Sequence, residues 1–186
     1  MIRRMSLAAF ALLAAGHVAH AADWQMDAAT SRLEFAATFE RTAAPGIFKE
    51  FDSRMQFDAN APADSRLDVS ISVKSADMNS SDINKAISGP EWFDFARFPQ
   101  AVFHATELRR TNGDQFLARG TLNLKGVQQA IDVPFTWSET GNTARMEGEF
   151  TVKRGAFGIG TGEWTATNVI GGDVKVKFNL RMRKVG

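Results

Sequence analysis

The chain has no cysteine, which excludes a disulfide framework, a thiolate metal site and a cysteine nucleophile. Histidine is nearly as scarce, with only His17, His20 and His104 among 186 residues. No cluster of His and carboxylates stands at metal-ligand spacing, so neither a structural nor a catalytic metal is expected. Charge of one sign is lacking too: 22 Lys and Arg against 21 Asp and Glu leave a net charge of +1. That balance gives no electrostatic footing for nucleic acid or an anionic membrane surface. Long apolar runs are absent except at the start, and the run Leu7–Ala15 is far short of the roughly 20 residues that cross a bilayer.

What is there begins with that run. Arg3 and Arg4 precede it, and Ala19-His20-Ala21 follows as a small-x-small site, the pattern of a cleaved export signal over residues 1–21. Cleavage would start the mature chain at Ala22 and remove two arginines, His17 and His20. Its net charge becomes −1 (20 basic against 21 acidic residues), and His104 becomes its sole histidine. Residues 22–186, without disulfides, are ample for a single domain held by its core.

Period-two alternation runs through nearly all of them. Leu33, Phe35, Ala37 and Phe39 share one face of a strand, and Leu67, Val69, Ile71 and Val73 share another. The same pattern places Phe116, Ala118, Gly120, Leu122 and Leu124 together, then Ile131, Val133, Phe135 and Trp137. Met146, Gly148, Phe150 and Val152 follow, and Val174 to Met182 close the chain with lysines and arginines on the opposite face. Less regular strands over Gly46–Phe57 and Gln100–Arg110 bring the number to eight. Asn112-Gly113, Lys125-Gly126 and Gly141-Asn142 supply hairpin turns.

One stretch breaks the pattern. Ile83, Ala86 and Ile87 recur at helical spacing behind a capping Ser80 or Ser81, and Gly89-Pro90 ends that helix. Trp92, Phe93, Phe95, Phe98 and Phe103 follow, too much aromatic area to leave in water when each buried ring contributes roughly 1.5–3 kcal/mol. This segment is expected to plug one end of a barrel.

One apolar face per strand fits a sandwich or a closed barrel. Ala37, Ala118, Gly120 and Gly148 on the inner face either leave room for a ligand, as eight strands can, or make room for bulky neighbours such as Trp137. Both readings stand at this point.

Four blocks in order carry a resemblance to a known family. They are Gly46-Ile-Phe-Lys-Glu-Phe-Asp through Phe57-Asp58, Trp92-Phe-Asp through Phe103, Gly120 through Pro134, and Phe150 through Gly160 with the closing Asp173-Val-Lys-Val strand. Together they resemble the YceI-like family of secreted, lipocalin-like, polyisoprenoid-binding proteins. The resemblance implies an all-β fold, an eight-stranded antiparallel barrel closed by a short helical segment, holding a long apolar ligand in the periplasm. Where many relatives carry histidines, this chain has Phe39-Glu-Arg-Thr and Asn79-Ser-Ser-Asp.

The residues expected to contact such a ligand are Phe35, Phe39, Phe48, Ile87, Trp92, Phe93, Phe98, Phe103, Gly120, Phe135, Gly148, Arg154 and Phe157. Arg154 would suit a phosphate or carboxylate head, since a guanidinium grips both bidentately; a surface ion pair is the alternative. Gly158-Ile-Gly-Thr-Gly162 lacks the helix and Lys-Ser/Thr of a phosphate loop and reads as a flexible connection at the rim. Glu91 and Asp94 read as solvated or capping acids, and His104 as a surface or satisfied histidine. Three function classes follow. The leading one is a periplasmic carrier of an isoprenoid or other long-chain amphiphile, with no catalytic residue and no cofactor besides that lipid. The others are an accessory module for a membrane partner such as a b-type cytochrome, and an enzyme acting on a lipid. A homodimer is compatible with all three.

Overall fold

The structure, a computed structural model, describes residues 21–185. The expected leader lies outside the described residues, apart from Ala21. Eleven strands form one sheet: β1 (Ala22–Met26), β2 (Arg32–Phe39), β3 (Thr42–Phe48), β4 (Phe51–Phe57), β5 (Arg66–Ser72), β6 (Ala76–Asp77), β7 (Gln100–Asn112), β8 (Gln115–Leu124), β9 (Val127–Thr140), β10 (Thr143–Lys153) and β11 (Asp173–Val185). The sheet runs β1-β4-β5-β7-β8-β9-β10-β11, and β1 pairs back onto β11 to close a ring.

That ring explains why eleven strands make an eight-stranded barrel. β2 pairs with β11 over Lys175–Asn179 and β1 pairs with the same edge over Met182–Val185. The two are one stave, broken at the turn Ala28–Thr30, where the Asp27 side chain accepts from the Ala29 amide. β3 and β4 are likewise one stave broken at Lys49–Glu50. The expectation of eight antiparallel strands holds, with two differences. β1 was not anticipated, because five residues are too few to show a period. The β2–β3 hairpin turns on Glu40 (φ 46°) and Arg41 (φ 67°), left-handed positions that a Gly or Asn normally announces. The turns at Gly113, Lys125-Gly126 and Gly141 are where the sequence places them, all at positive φ.

The barrel interior has two unlike halves. One is solid: Trp24, Phe57, Phe116, Phe135 and Trp137 meet mostly edge-to-face at centroid distances of 4.9–6.0 Å. Met26, Met55, Met182, Leu108 and Ala118 fill the gaps between them. The other half is hollow and is capped by helix α1 (Ser81–Ile87) and the turns that follow it. Of the small inner residues Ala37 borders the hollow, but the two glycines do not create it. A Cβ on Gly148 would lie 2.3 Å from the Pro134 carbonyl and 2.5 Å from the Phe178 ring. One on Gly120 would lie 2.3 Å from the His104 carbonyl. Both glycines serve close packing: Gly148 makes room for the bulky Phe178, and Gly120 for the backbone of His104 and Ala105.

Candidate ligand cavity

The hollow half encloses a cavity of about 590 Å³. Its walls follow the register of the strands. On β9 Ile131 and Val133 face it, while Phe135 and Trp137, further along the same face, do not. On β10 it is bordered by Met146, Phe150 and Val152; on β11 by Val174, Val176, Phe178 and Leu180; on β5 by Leu67, Val69 and Ile71. Beyond Met146, Leu180 and Leu67 the aromatic floor begins. Among the described residues, Thr38, Asp82 and Arg154 are the only hydroxyl-bearing or charged side chains on the lining.

The cap is assembled from local sequence. Ser80 caps α1 by accepting from the Ile83 amide. Asp77, on β6, accepts from the Asn84 side chain at 2.8 Å and the Asn79 amide at 2.9 Å and pairs with Lys49 at 2.5 Å. Lys49 first, then the two asparagine contacts, hold its carboxyl well below the usual carboxylate range. This ties the start of α1 to the barrel. Ile87 is buried beneath the helix, while Ile83 stays exposed beside the cavity together with Phe39 at the hairpin tip. Past Pro90, Trp92 and Phe93 both border the cavity, with Phe93 in contact with Phe48 and Phe48 with Phe35.

Arg154 is the most unusual residue of the site. It is 4% exposed and faces no carboxylate: Nε donates to Gly171 O, Nη1 to Ile159 O and Gly160 O, and Nη2 to Trp164 O, Ala166 O and Ile170 O, at 2.7–3.4 Å. A guanidinium has five N–H groups, so none is left for a ligand head. Burial pulls its pKa down from the ordinary value, but arginine stays protonated in proteins. Neither expectation for Arg154 fits; it is the hub around which residues 158–172 are wound. One glycine of that segment, Gly160, follows from it. Gly158, Gly160 and Gly162 all have positive φ, and a Cβ on Gly160 would sit 2.0 Å from Nη1. The segment is therefore a fitted turn, not a flexible connection.

Glu91 fastens the same turn to the cap. Its carbonyl accepts from the Gly160 and Thr161 amides, and its carboxylate from Trp164 Nε1 at 2.9 Å. Lys125, whose pKa burial lowers, donates to the Pro90 and Gly158 carbonyls. Asp94 is buried with a φ of 53° and stands 3.7 Å from Arg97. His104 lies on the outer face, paired with Asp68 at 2.5 Å.

Of the thirteen residues expected at a ligand, eight border the cavity: Phe35, Phe39, Phe48, Ile87, Trp92, Phe93, Phe103 and Arg154. Five do not. Phe135 belongs to the floor. Phe98 lies against the Lys125-Gly126 turn, under the Arg97 guanidinium. Phe157 is buried in the turn Arg154–Phe157, which packs against β9. Gly120 and Gly148 sit at close backbone approaches. Conversely, Trp164 and Ile170 border the cavity from a loop without periodicity, and no sequence signal marks them. Val69, Ile71, Phe150, Val174 and Val176 were legible as inward-facing; what singles them out is that they lie on the capped half of their strands.

A family model described as a YceI-like domain matches residues 24–182. Among curated proteins, a UPF0312 protein of Yersinia pestis is 34% identical over 97 residues, 52% of this chain and 50% of its own. One of Photorhabdus laumondii is 31% identical over 86 residues, 46% and 44% of the two chains. The chain thus spans about half the length of the curated relatives it matches. Burkholderia cenocepacia BcnA superposes with a TM-score of 0.82 at 31% identity, over 84% of this chain and 98% of that one. A polyisoprenoid binding domain from Saccharophagus degradans, implicated in plant cell wall breakdown, does so at 0.70 and 18% identity, over 87% and 98%.

Proposed function

The chain belongs to the YceI-like domain family, and on that premise we propose that it is a periplasmic carrier for a long-chain amphiphilic lipid, an isoprenoid of the polyprenyl or quinone type. The observation that carries this reading is the cavity, about 590 Å³ of almost wholly apolar lining inside the barrel. It is a container for hydrocarbon. The polyisoprenoid binding domain of Saccharophagus degradans shares the fold, which supports the isoprenoid as the class to test first. His104, the only histidine after the leader, points away from the cavity, which favours holding a lipid over transforming one.

Burying about 500 Å² of chain would contribute roughly 12 kcal/mol before association and ordering costs. The bound lipid therefore stays with the protein through purification. The polar head sits at the mouth, near Thr38 and Asp82, because a head group buried without partners is costly. Trp92 and Trp164, ring centroids 5.8 Å apart beside the cavity, provide the test. A short-chain quinone added to delipidated protein should quench their fluorescence saturably, and excess prenol should restore it. Quenching that does not saturate, or that prenol leaves untouched, would overturn the reading.

A further inference from the structure

On β9, β10 and β11 the walls of the cavity end where the aromatic floor begins. On β10 the last lining residue is Met146; its neighbour on β11, Leu180, is the last on that strand, and its neighbour on β9, Trp137, already belongs to the floor. Below this level Trp24, Trp137 and Phe57 interlock at 4.9–5.0 Å and leave no continuation. Met146 is 1% exposed and borders the cavity and the aromatic floor together. It is also the flexible, unbranched residue at this junction, the type that yields or fills according to what it meets.

The geometry points to a molecular ruler: Met146, backed by Leu180, sets the longest hydrocarbon chain that the barrel accepts. This rests on the proposed carrier function and deepens it. At about 30 Å³ per heavy atom, the share of a water molecule in the liquid, the cavity holds about 20 carbons, or four isoprene units. With Arg154's N–H groups all engaged inside and the polar lining of Thr38 and Asp82 at the mouth, the chain enters tail first. Its end then meets Met146. Each methylene up to that point strengthens binding about fourfold, the equivalent of roughly 0.8 kcal/mol; each one beyond it stays in water at the mouth and adds nothing.

The test offers delipidated protein an equimolar mixture of saturated 1-alkanols from C12 to C26 and reads the retained species by native mass spectrometry. The wild type should retain a distribution that rises steeply and levels off at about C18–C20. Met146→Ala removes three heavy atoms at the floor and should move that break two or three carbons longer; Met146→Phe should move it shorter. Leu180→Ala, at the same level on the neighbouring strand, gives an independent shift to longer chains should Met146→Ala fold poorly. Two buried polar atoms near the floor lack partners, Ser53 Oγ and Trp137 Nε1. A head-first mode seeking them would show as a break unmoved by every variant, and would overturn the ruler. So would retention that climbs without a break through C26, although the carrier reading would then stand. Retention of no alkanol at any length would remove the carrier reading itself.

Discussion

Replacing Arg154 by Met keeps the apolar stem of the side chain and removes the guanidinium. Six carbonyls between Ile159 and Gly171 then lose their donor. The bonds to Ile159 O and Gly160 O are the buried ones, and a buried acceptor left unsatisfied costs about 1–3 kcal/mol. The other four can turn to water if the loop opens. Relief of the buried charge's desolvation offsets part of the loss, which leaves a net destabilisation of about 2–4 kcal/mol. For a chain of this size that lowers the melting temperature by about 4–16 °C. Arg154→Lys keeps the charge but offers three donors at one point, and should recover less than half of the difference. Thermal melting measures the magnitude, and amide hydrogen exchange localises it: protection should fall across residues 158–172 and stay unchanged in β7 and β8. A Met variant that melts within about 1 °C of wild type with that segment still protected would refute the idea that the loop is wound on this residue.

Asp77→Asn should lower the melting temperature at pH 7, and the gap to wild type should close as pH falls below about 4, because a carboxyl held low by Lys49 and Asn84 stabilises only while ionised. An unchanged gap at pH 2 would exclude that cause. Ser53→Ala should be neutral or stabilising by up to about 1 kcal/mol, since it removes a buried hydroxyl without a partner; a clear loss in chemical denaturation would mean that the hydroxyl is satisfied by a buried water. Trp92→Ala with Phe93→Ala should speed release of a fluorescent isoprenoid more than it lowers the melting point of delipidated protein, because both rings border the cavity from the cap. Stability lost with an unchanged off-rate would make them ordinary core.

The barrel was legible because its inner face alternates over long strands such as β8, β9 and β11, and because Asn112-Gly113, Lys125-Gly126 and Gly141-Asn142 announce their turns. The β2–β3 hairpin was not legible, since Glu40-Arg41 adopts a left-handed turn without the residues that favour it. The cavity's aromatic cap could be read from composition: so many rings in one short stretch had to cover something apolar. Its depth could not. Whether Gly148 makes a hole or receives Phe178 depends on the neighbouring stave, which period-two patterning within one strand does not describe. The same limit explains Arg154. A lone arginine after a strand looks like a surface charge or an anion site, and only the return of residues 159–171 around it shows where its donors go.

The claim that the hollow half of the barrel holds a lipid is tested most directly by extracting the purified protein and identifying what it releases, wild type beside Val176→Trp. Val176 borders the cavity between Phe35 and Phe150 on the adjoining strands, so the indole fills the space from the wall. The account predicts a near-stoichiometric long-chain lipid from wild type and none from a Val176→Trp protein that melts no lower than delipidated wild type. Equal lipid from both proteins, or none from wild type even after incubation with isoprenoids, would contradict it.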